Sequence, residues 1–149
     1  MRARGFTHVS VSATDLEKSV RFYKDFFGME VVPSPDFSGP VRWLRVGNLQ
    51  LHLFLDGDPA PARHHFALDV DDFEAAYRRA EELGIRDDGR YSTVRELPCG
   101  AVQMYLRDPA GNLVEVNWPE VTTLDREVIP EIQKIGGDKD AVLYPKPER

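Results

Sequence analysis

At 149 residues the chain has room for one domain, or for two small modules that share a core. Its composition, with 42% hydrophobic and 30% charged residues, is that of a globular protein, and its formal net charge of −6 disfavours nucleic acid as a partner. No apolar run is long enough to cross a bilayer, and the opening MRARGFTHVSV does not look like a secretory signal. We therefore expect a cytoplasmic protein without a membrane partner.

The first predicted elements are a strand, a helix and three further strands. The strand FTHVSVS precedes a helix that is capped by Thr14, with Glu17 completing a capping box, and that ends at Gly28. The runs MEVVP, VRWLRV and LQLHLFL are typical of strands, and Gly47-Asn48 predicts a hairpin turn between the last two. Residues 5–56 are therefore predicted to form one βαβββ module.

Residues 64–118 repeat this order of elements. The strand HHFALDV precedes a helix capped by Asp71 and ended by Gly84, and the runs AVQMYLR and NLVEVNW are joined by a predicted tight turn at 108–111. The two predicted caps, Thr14 and Asp71, lie 57 residues apart, and other helix positions keep the same offset. We therefore interpret 64–118 as a second βαβββ module.

The rest of the chain, 119–149, is a C-terminal extension outside the repeat. We expect a short helix near 124–135 and then a loose or partner-bound tail. The predicted fold class is α+β: two βαβββ modules form a cupped mixed sheet with their helices outside.

Strand alternation separates two faces in each predicted strand. One face is apolar and suits a helix, and we call the opposite one the polar face because it carries a histidine or a glutamate in four strands. The polar faces hold these residues: Phe6, His8 and Ser10; Gln50, His52 and Phe54; His65, Ala67 and Asp69; Leu113, Glu115 and Asn117. The 57-residue offset makes His8 and His65 equivalent. The adjacent His64 falls on the helix-facing side or at the mouth of the strand, where we expect a structural role.

Two imidazoles and a carboxylate on such faces suggest a metal site. This is the ligand set of Fe(II), Mn(II) and similar ions, which keep open positions for water or substrate. The alternative is that each histidine is only hydrogen-bonded inside the fold, since a buried polar group is costly without a partner. Several strands that each deliver one ligand-type residue favour the metal interpretation.

Three segments together resemble the vicinal oxygen chelate superfamily: HVSVSATDLEKSVRFYKDFFGMEV, HHFALDVDDFEAAYRRAEELG and MYLRDPAGNLVEV. This superfamily includes glyoxalase I, methylmalonyl-CoA epimerase, fosfomycin-resistance thiol transferases, type I extradiol dioxygenases and bleomycin-resistance proteins. The resemblance covers roughly 5–118 and implies a divalent metal ion (Fe, Mn, Ni, Co or Zn) held by His8, His65 and Glu115. It implies a fourth ligand from the last strand of the first module, His52 rather than Gln50, although strand alternation permits both.

The resemblance also implies the type of chemistry. The metal would bind oxygens of a small-molecule substrate and stabilise an oxyanion or enediolate, as in a lyase or isomerase. It further implies a homodimer, with each cup built within one chain or by exchange between two. Tyr105 and Gln103 are the candidate catalytic residues, although simple strand packing would also explain them.

Three alternative functions remain open at this point. Tyr105 lies ten residues before Glu115, as in extradiol dioxygenases, but the preceding ELPCGAVQ lacks the acid–base histidine of that signature. Fosfomycin-type thiol transferases use the same ligand set and tyrosine, but their cation loop has no clear match here. A metal-free module that binds or sequesters a small molecule is the third. Glyoxalase activity itself is disfavoured because only one glutamate, Glu115, stands in the predicted ligand set.

Overall fold

The computed structural model describes residues 1–58 and 60–144, which form an α+β fold of two mixed sheets and two α-helices. The chain divides into two compact units. The first contains residues 1–66 and the turn at 108–112, and the second contains 67–107 and the chain from 113 onward. Within the described part of the chain, no helix has the length and apolar character needed to cross a membrane.

The first unit contains the predicted βαβββ order. Its elements are β1 (His8–Ala13), α1 (Leu16–Phe27), β2 (Glu30–Val32), β3 (Val41–Val46) and β4 (Leu49–Leu55). The strands are ordered β1-β4-β3-β2, with β1 parallel to β4 and the other pairs antiparallel. The β3–β4 hairpin turns at the predicted glycine and asparagine, where Gly47 has a φ of 56° that favours glycine.

One face of this sheet packs against α1. Leu44, Leu51 and Leu53 of the sheet are buried, as are Val20 and Tyr23 of the helix. Each such aliphatic or aromatic side chain contributes roughly 1.5–3 kcal/mol by leaving water. The opposite face is the predicted polar face: burial alternates along β1, and in β4 the His52–Gln50 hydrogen bond and the stacking of His52 on His8 place these side chains on the same side.

The second sheet belongs to the second module. From residue 65 onward the elements are β5 (His65–Asp69), α2 (Phe73–Leu83), β6 (Arg95–Glu96), β7 (Val102–Arg107), β8 (Leu113–Trp118), a short 3-10 helix (Val121–Thr123) and β9 (Gln133–Lys134). The strand order is β5-β8-β7-β6-β9. In β5, Leu68 is buried while the flanking alternate positions are exposed, which confirms the predicted faces of this strand.

Both helices begin one residue later than predicted. The caps are Asp15 and Asp72, whose carboxylates accept hydrogen bonds from the backbone N–H groups of Lys18 and Ala75. Both residues have the extended backbone of an N-cap, with φ of −144° at Asp15 and −145° at Asp72, so they take the positions predicted for Thr14 and Asp71. The 57-residue offset is unchanged because both caps move together.

The predicted helix near 124–135 is absent from the structure. Val128 and Ile129 form only one turn on the carbonyl of Asp125, and Pro130 then removes the N–H that a longer helix would need. The chain instead adds β9 to the sheet in parallel with β6. The beginning of the C-terminal extension is therefore part of the second sheet; the predicted loose tail ends in residues 145–149, outside the described residues.

The β7–β8 turn is held by the buried carboxylate of Asp108. Its Oδ1 accepts the N–H groups of Ala110 (2.9 Å) and Asn112 (2.8 Å). Its Oδ2 accepts the Tyr23 hydroxyl (2.7 Å) and the Asn112 side-chain amide (2.8 Å), and that amide also donates to the carbonyl of Ser12. One carboxylate thus fixes the turn against α1 and the end of β1. The Asp-Pro-Ala-Gly stretch therefore has a structural role here.

The C-terminal extension is attached to the second unit through Glu131. Its carboxylate accepts hydrogen bonds from the Tyr77 hydroxyl of α2 and from Arg86 Nη1 (2.8 Å). Burial alone would raise the pKa of Glu131, but these hydrogen bonds and the charge of Arg86 outweigh burial and lower it. Burial, together with the hydrogen bond to Glu131 and its charge, raises the pKa of Tyr77 to about 12, so the phenol stays protonated and can donate to the Glu131 carboxylate.

We predict that Tyr23→Phe lowers the free energy of unfolding by about 1–2 kcal/mol, because Asp108 loses one of its four donors. Asp108→Ala should cost more, since it leaves the buried Tyr23 hydroxyl and the Asn112 amide without their shared acceptor. Urea unfolding of the two variants measures the difference. An Asp108→Ala variant no less stable than Tyr23→Phe would contradict this assignment.

We predict that Glu131→Gln lowers stability by about 0.5–1 kcal/mol at pH 7, a small loss because the carboxylate is partly exposed. A lowered pKa means that the ionised form stabilises the fold above the ordinary value of 4.5, and that this contribution is lost as the pH falls through the native pKa. The gap between wild type and variant should therefore shrink below pH 4 in urea unfolding. Glu127→Gln is the control, since Glu127 is exposed and makes no ion pair among the described residues.

Candidate functional site

Three rings are stacked on the polar face of the first sheet. Trp43 lies directly opposite His52 in the β3–β4 register, and their rings are 4.1 Å apart and almost parallel, at 2°. His52 is stacked in turn on His8, at 4.2 Å and 15°. The structure thus brings together two of the predicted metal ligands, and it adds a tryptophan that the sequence reading did not include.

Hydrogen bonds fix the protonation of the His52 ring. Its Nε2 lies 2.8 Å from Oε1 of Gln50, an oxygen that can only accept, so Nε2 carries the proton and Nδ1 holds the lone pair. Burial lowers the pKa of His52, and the nearby His8 lowers it further. His52 is therefore neutral at pH 7, as a metal ligand must be. Gln50, the other candidate for this position, serves as its hydrogen-bond partner.

The stacking itself bears on metal binding. The lone pair of an imidazole lies in the plane of the ring, and a bound ion lies close to that plane. The rings of His8 and His52 are nearly parallel and about 4 Å apart, so their planes do not meet near either nitrogen. One ring has to turn before both can bind the same ion.

The stack borders a pocket of about 550 Å³ that is lined by residues of the first unit. Phe6, Phe37 and Phe54 also line it, and each is exposed. Three exposed phenylalanines around one concave surface are suited to the apolar part of a small molecule.

The polar face of the second sheet is organised around Glu115. The β7–β8 register sets Tyr105 opposite Glu115 and Gln103 opposite Asn117. Gln103 donates its amide to Glu115 Oε1 at 2.6 Å. Burial raises the pKa of Tyr105, and the charge of Glu115 together with a hydrogen bond to it raises the pKa further, so the phenol stays protonated. Both predicted catalytic residues therefore contact the predicted glutamate ligand.

Asn117 holds an unused acceptor on this face. The side chain is only 5% exposed, yet its Oδ1 has no hydrogen-bond partner in the described part of the chain. A buried amide oxygen without a partner costs about 1–3 kcal/mol. Such a cost is typical of a functional site.

The adjacent histidines separate as the sequence predicted. His65 begins β5 and shares its face with Asp69, whereas His64 lies before the strand, exposed, with its N–H bonded to the carbonyl of Pro61. His65 Nδ1 lies 2.9 Å from the carbonyl of Arg63 and therefore carries the proton. The lone pair of the neutral ring is then on Nε2, the arrangement usual for a metal-binding histidine.

Among residues 1–58 and 60–144, no group of three or more His, Cys, Asp or Glu side chains is arranged to hold a metal ion. Trp43 could have been found from the sequence, because the two-residue Gly47-Asn48 turn sets the pairing that places it opposite His52. The hydrogen bond between Tyr144 of the C-terminal extension and Asp69 of β5 could not be found in this way, because the extension has no periodic pattern.

We predict that Asn117→Leu raises the free energy of unfolding by about 1 kcal/mol, because an apolar side chain removes the unpaired buried oxygen. Asn112→Leu is the matched control: it is equally buried, but its amide is bonded to Ser12 and Asp108, so the same change should destabilise the protein. Urea unfolding compares the two. A loss of stability in both variants would show that Asn117 is satisfied in the folded protein.

Comparison with known proteins agrees with the resemblance. The human mitochondrial methylmalonyl-CoA epimerase is 30% identical over 129 residues, covering 73% of this chain and 70% of the relative. The trivalent organoarsenical cleaving enzyme of Bacillus sp. (strain MD1) is 30% identical over 131 residues, covering 84% and 80%. The crystal structure of lactoylglutathione lyase from Agrobacterium tumefaciens matches with a TM-score of 0.59 and 29% identity, covering 78% and 95%. Residues 5–116 match the sequence model of one family, and the chain therefore belongs to the Glyoxalase/Bleomycin resistance protein/Dioxygenase superfamily.

Proposed function

We propose that the chain is a divalent-metal-dependent enzyme that acts on a small, oxygen-bearing molecule by lyase or isomerase chemistry. The proposed ligands are His8, His52, His65 and Glu115. The observation that carries the proposal is the arrangement around Glu115, where Gln103 and Tyr105 orient a carboxylate on a polar strand face. Second-sphere partners of this kind are typical of metal-binding carboxylates.

The donor groups present fit a divalent ion. Nε2 of His52 and Nδ1 of His65 are occupied by hydrogen bonds, so Nδ1 of His52 and Nε2 of His65 are the ring nitrogens that would bind a metal, and Glu115 supplies a carboxylate. His, His and carboxylate is a set used by Fe, Mn, Ni, Co and Zn sites. The parallel stack of His8 and His52 must open, by rotation of one ring, before both can bind the same ion.

When bound, the ion would supply Lewis-acid stabilisation of negative charge that develops on a substrate oxygen. The chain's own residues do the rest. Gln103 orients Glu115 through its amide, and Tyr105 provides a protonated phenol on the same face. Asn117 adds an acceptor that has no other described partner. The pocket of the first unit, with its three exposed phenylalanines, is suited to an apolar group.

Epimerisation next to a carbonyl is the first reaction to test. The human and mouse methylmalonyl-CoA epimerases are 30% and 29% identical to this chain over about three quarters of its length. Removal of a proton beside a carbonyl creates the enolate oxygen that such a site stabilises. Exchange of the C2 hydrogen of methylmalonyl-CoA with deuterated water measures this step directly.

Cleavage of trivalent organoarsenicals is the second candidate. It is favoured by the breadth of that match, which covers 84% of this chain and 80% of the relative. Release of inorganic arsenite from a trivalent aryl arsenical tests it on the same metal-loaded samples. We also propose a homodimer, as the resemblance implies, and sedimentation analysis measures the mass of the assembly.

We predict that His8→Ala, His52→Ala, His65→Ala and Glu115→Ala each weaken Mn²⁺ binding at least about 10-fold in calorimetry. His64→Ala is the matched control, because it removes an adjacent imidazole that lies outside β5. Its affinity should stay within about twofold of wild type. Equal losses from His64→Ala and His65→Ala would contradict the assignment by strand face.

Rotation of a histidine ring on metal binding should also change the fluorescence of Trp43, which is stacked on His52. In a Trp118→Phe background, Trp43 is the remaining tryptophan, and its emission should change when Zn²⁺ opens the stack. His52→Leu should abolish that response. A protein that binds none of the five candidate metals and gains no thermal stability from them would contradict the enzyme proposal and favour a metal-free binding module.

A further inference from the structure

The C-terminal extension returns to the polar face of the second sheet. After β9 the chain passes through Gly136-Gly137, where Gly137 has a φ of 140° and lies close to Pro98. It then brings the half-buried Tyr144 to β5, where the phenol donates a hydrogen bond of 2.6 Å to Asp69 Oδ1. This contact joins residues 75 positions apart, and Tyr144 lies beyond the segment 5–116 that matches the family.

Asp69 locates this contact relative to the candidate site. It lies on the face of β5 that carries His65, and β5 is the neighbour of β8, which carries Glu115. Burial raises the pKa of Tyr144, the hydrogen bond and charge of Asp69 raise it further, and Glu115 adds to the shift. The hydrogen bond to Asp69 therefore places the Tyr144 hydroxyl at the polar face of β5, in the sheet where β8 carries Glu115.

The direction of this hydrogen bond decides what the phenol can offer to a ligand. An ionised carboxylate only accepts, so Asp69 takes the single proton of the Tyr144 hydroxyl. The phenol oxygen keeps its lone pairs and can only accept a further hydrogen bond. A ligand that contacts Tyr144 must therefore bring an O–H or N–H group.

We propose that Tyr144 is a substrate-contacting residue of the site, and that the substrate carries an O–H or N–H donor next to, and separate from, the oxygens that bind the metal. Asp69 is the positioning residue, because it holds the phenol in the accepting orientation. This inference rests on the proposed function, since it places Tyr144 beside a metal-bound molecule.

A matched pair of probes tests the inference. Acetohydroxamate and N-methylacetohydroxamate bind metals through the same two oxygens, but only the first has an N–H. On Mn²⁺-loaded wild-type protein, calorimetry should show about fivefold tighter binding of acetohydroxamate, the value of one hydrogen bond. Tyr144→Phe should reduce this preference to within about twofold and leave Mn²⁺ affinity unchanged.

Two further variants distinguish the orientation of the Tyr144 hydroxyl from a general loss of stability. In the Asp69→Asn variant, the new side-chain amide can donate an N–H to the Tyr144 phenol oxygen and so occupy its acceptor position. The hydrogen bond between the two side chains is then kept, but the preference for acetohydroxamate over N-methylacetohydroxamate should fall. Tyr77→Phe, which removes an equivalent tyrosine–carboxylate bond at α2, should keep the full preference.

The outcomes are distinguishable. Wild-type protein that does not bind Mn²⁺ overturns the proposed function and this inference with it. Mn²⁺ binding together with a preference that survives Tyr144→Phe reflects the bulk of the N-methyl group and overturns this inference alone. Equal affinity of wild type for the two probes also overturns it.

Discussion

The buried carboxylate of Asp108 fixes the register on which the polar face of the second sheet depends. Four donors converge on it, from the helix, the turn and the asparagine that also reaches the end of β1. Because the turn is fixed, β7 and β8 can pair in only one register. A slip of one residue would move Glu115 and Asn117 to the apolar face. The residues of the candidate site are therefore positioned by a carboxylate that takes no part in it.

Much of this arrangement follows from patterns of period two and from one repeat. The alternation in the strands predicted which side of β4 carries His52 and which side of β8 carries Glu115, and the 57-residue offset related His8 to His65. These predictions succeed because alternation is a property of the strand itself. The caps at Asp15 and Asp72 were each missed by one residue, since two adjacent polar side chains can both accept an N–H and only the backbone conformation selects one. The helix expected near 124–135 was wrong because Pro130 and pairing with β6 outweigh local propensity.

The two sheets present different surfaces to a small molecule. The first offers stacked rings and exposed phenylalanines, and the second offers a carboxylate, an amide and two phenols held by hydrogen bonds. Sequence patterns predicted the members of each strand face but not the contacts between side chains, which depend on pairing register and on segments distant in the chain. The Trp43 stack and the Tyr144–Asp69 contact are of this second kind. Both involve side chains whose neighbours lie on another element.

The C-terminal extension is attached in a way that allows its sequence to vary independently of the two modules. Its anchors are an edge strand and the Glu131 contacts, and neither involves the alternation that builds the two modules. Insertions, deletions and substitutions between the anchors and Tyr144 would leave the repeated scaffold untouched. The residue that the C-terminal extension brings to the polar face could thus change during evolution, while the two modules, with their histidines and glutamate, stayed the same.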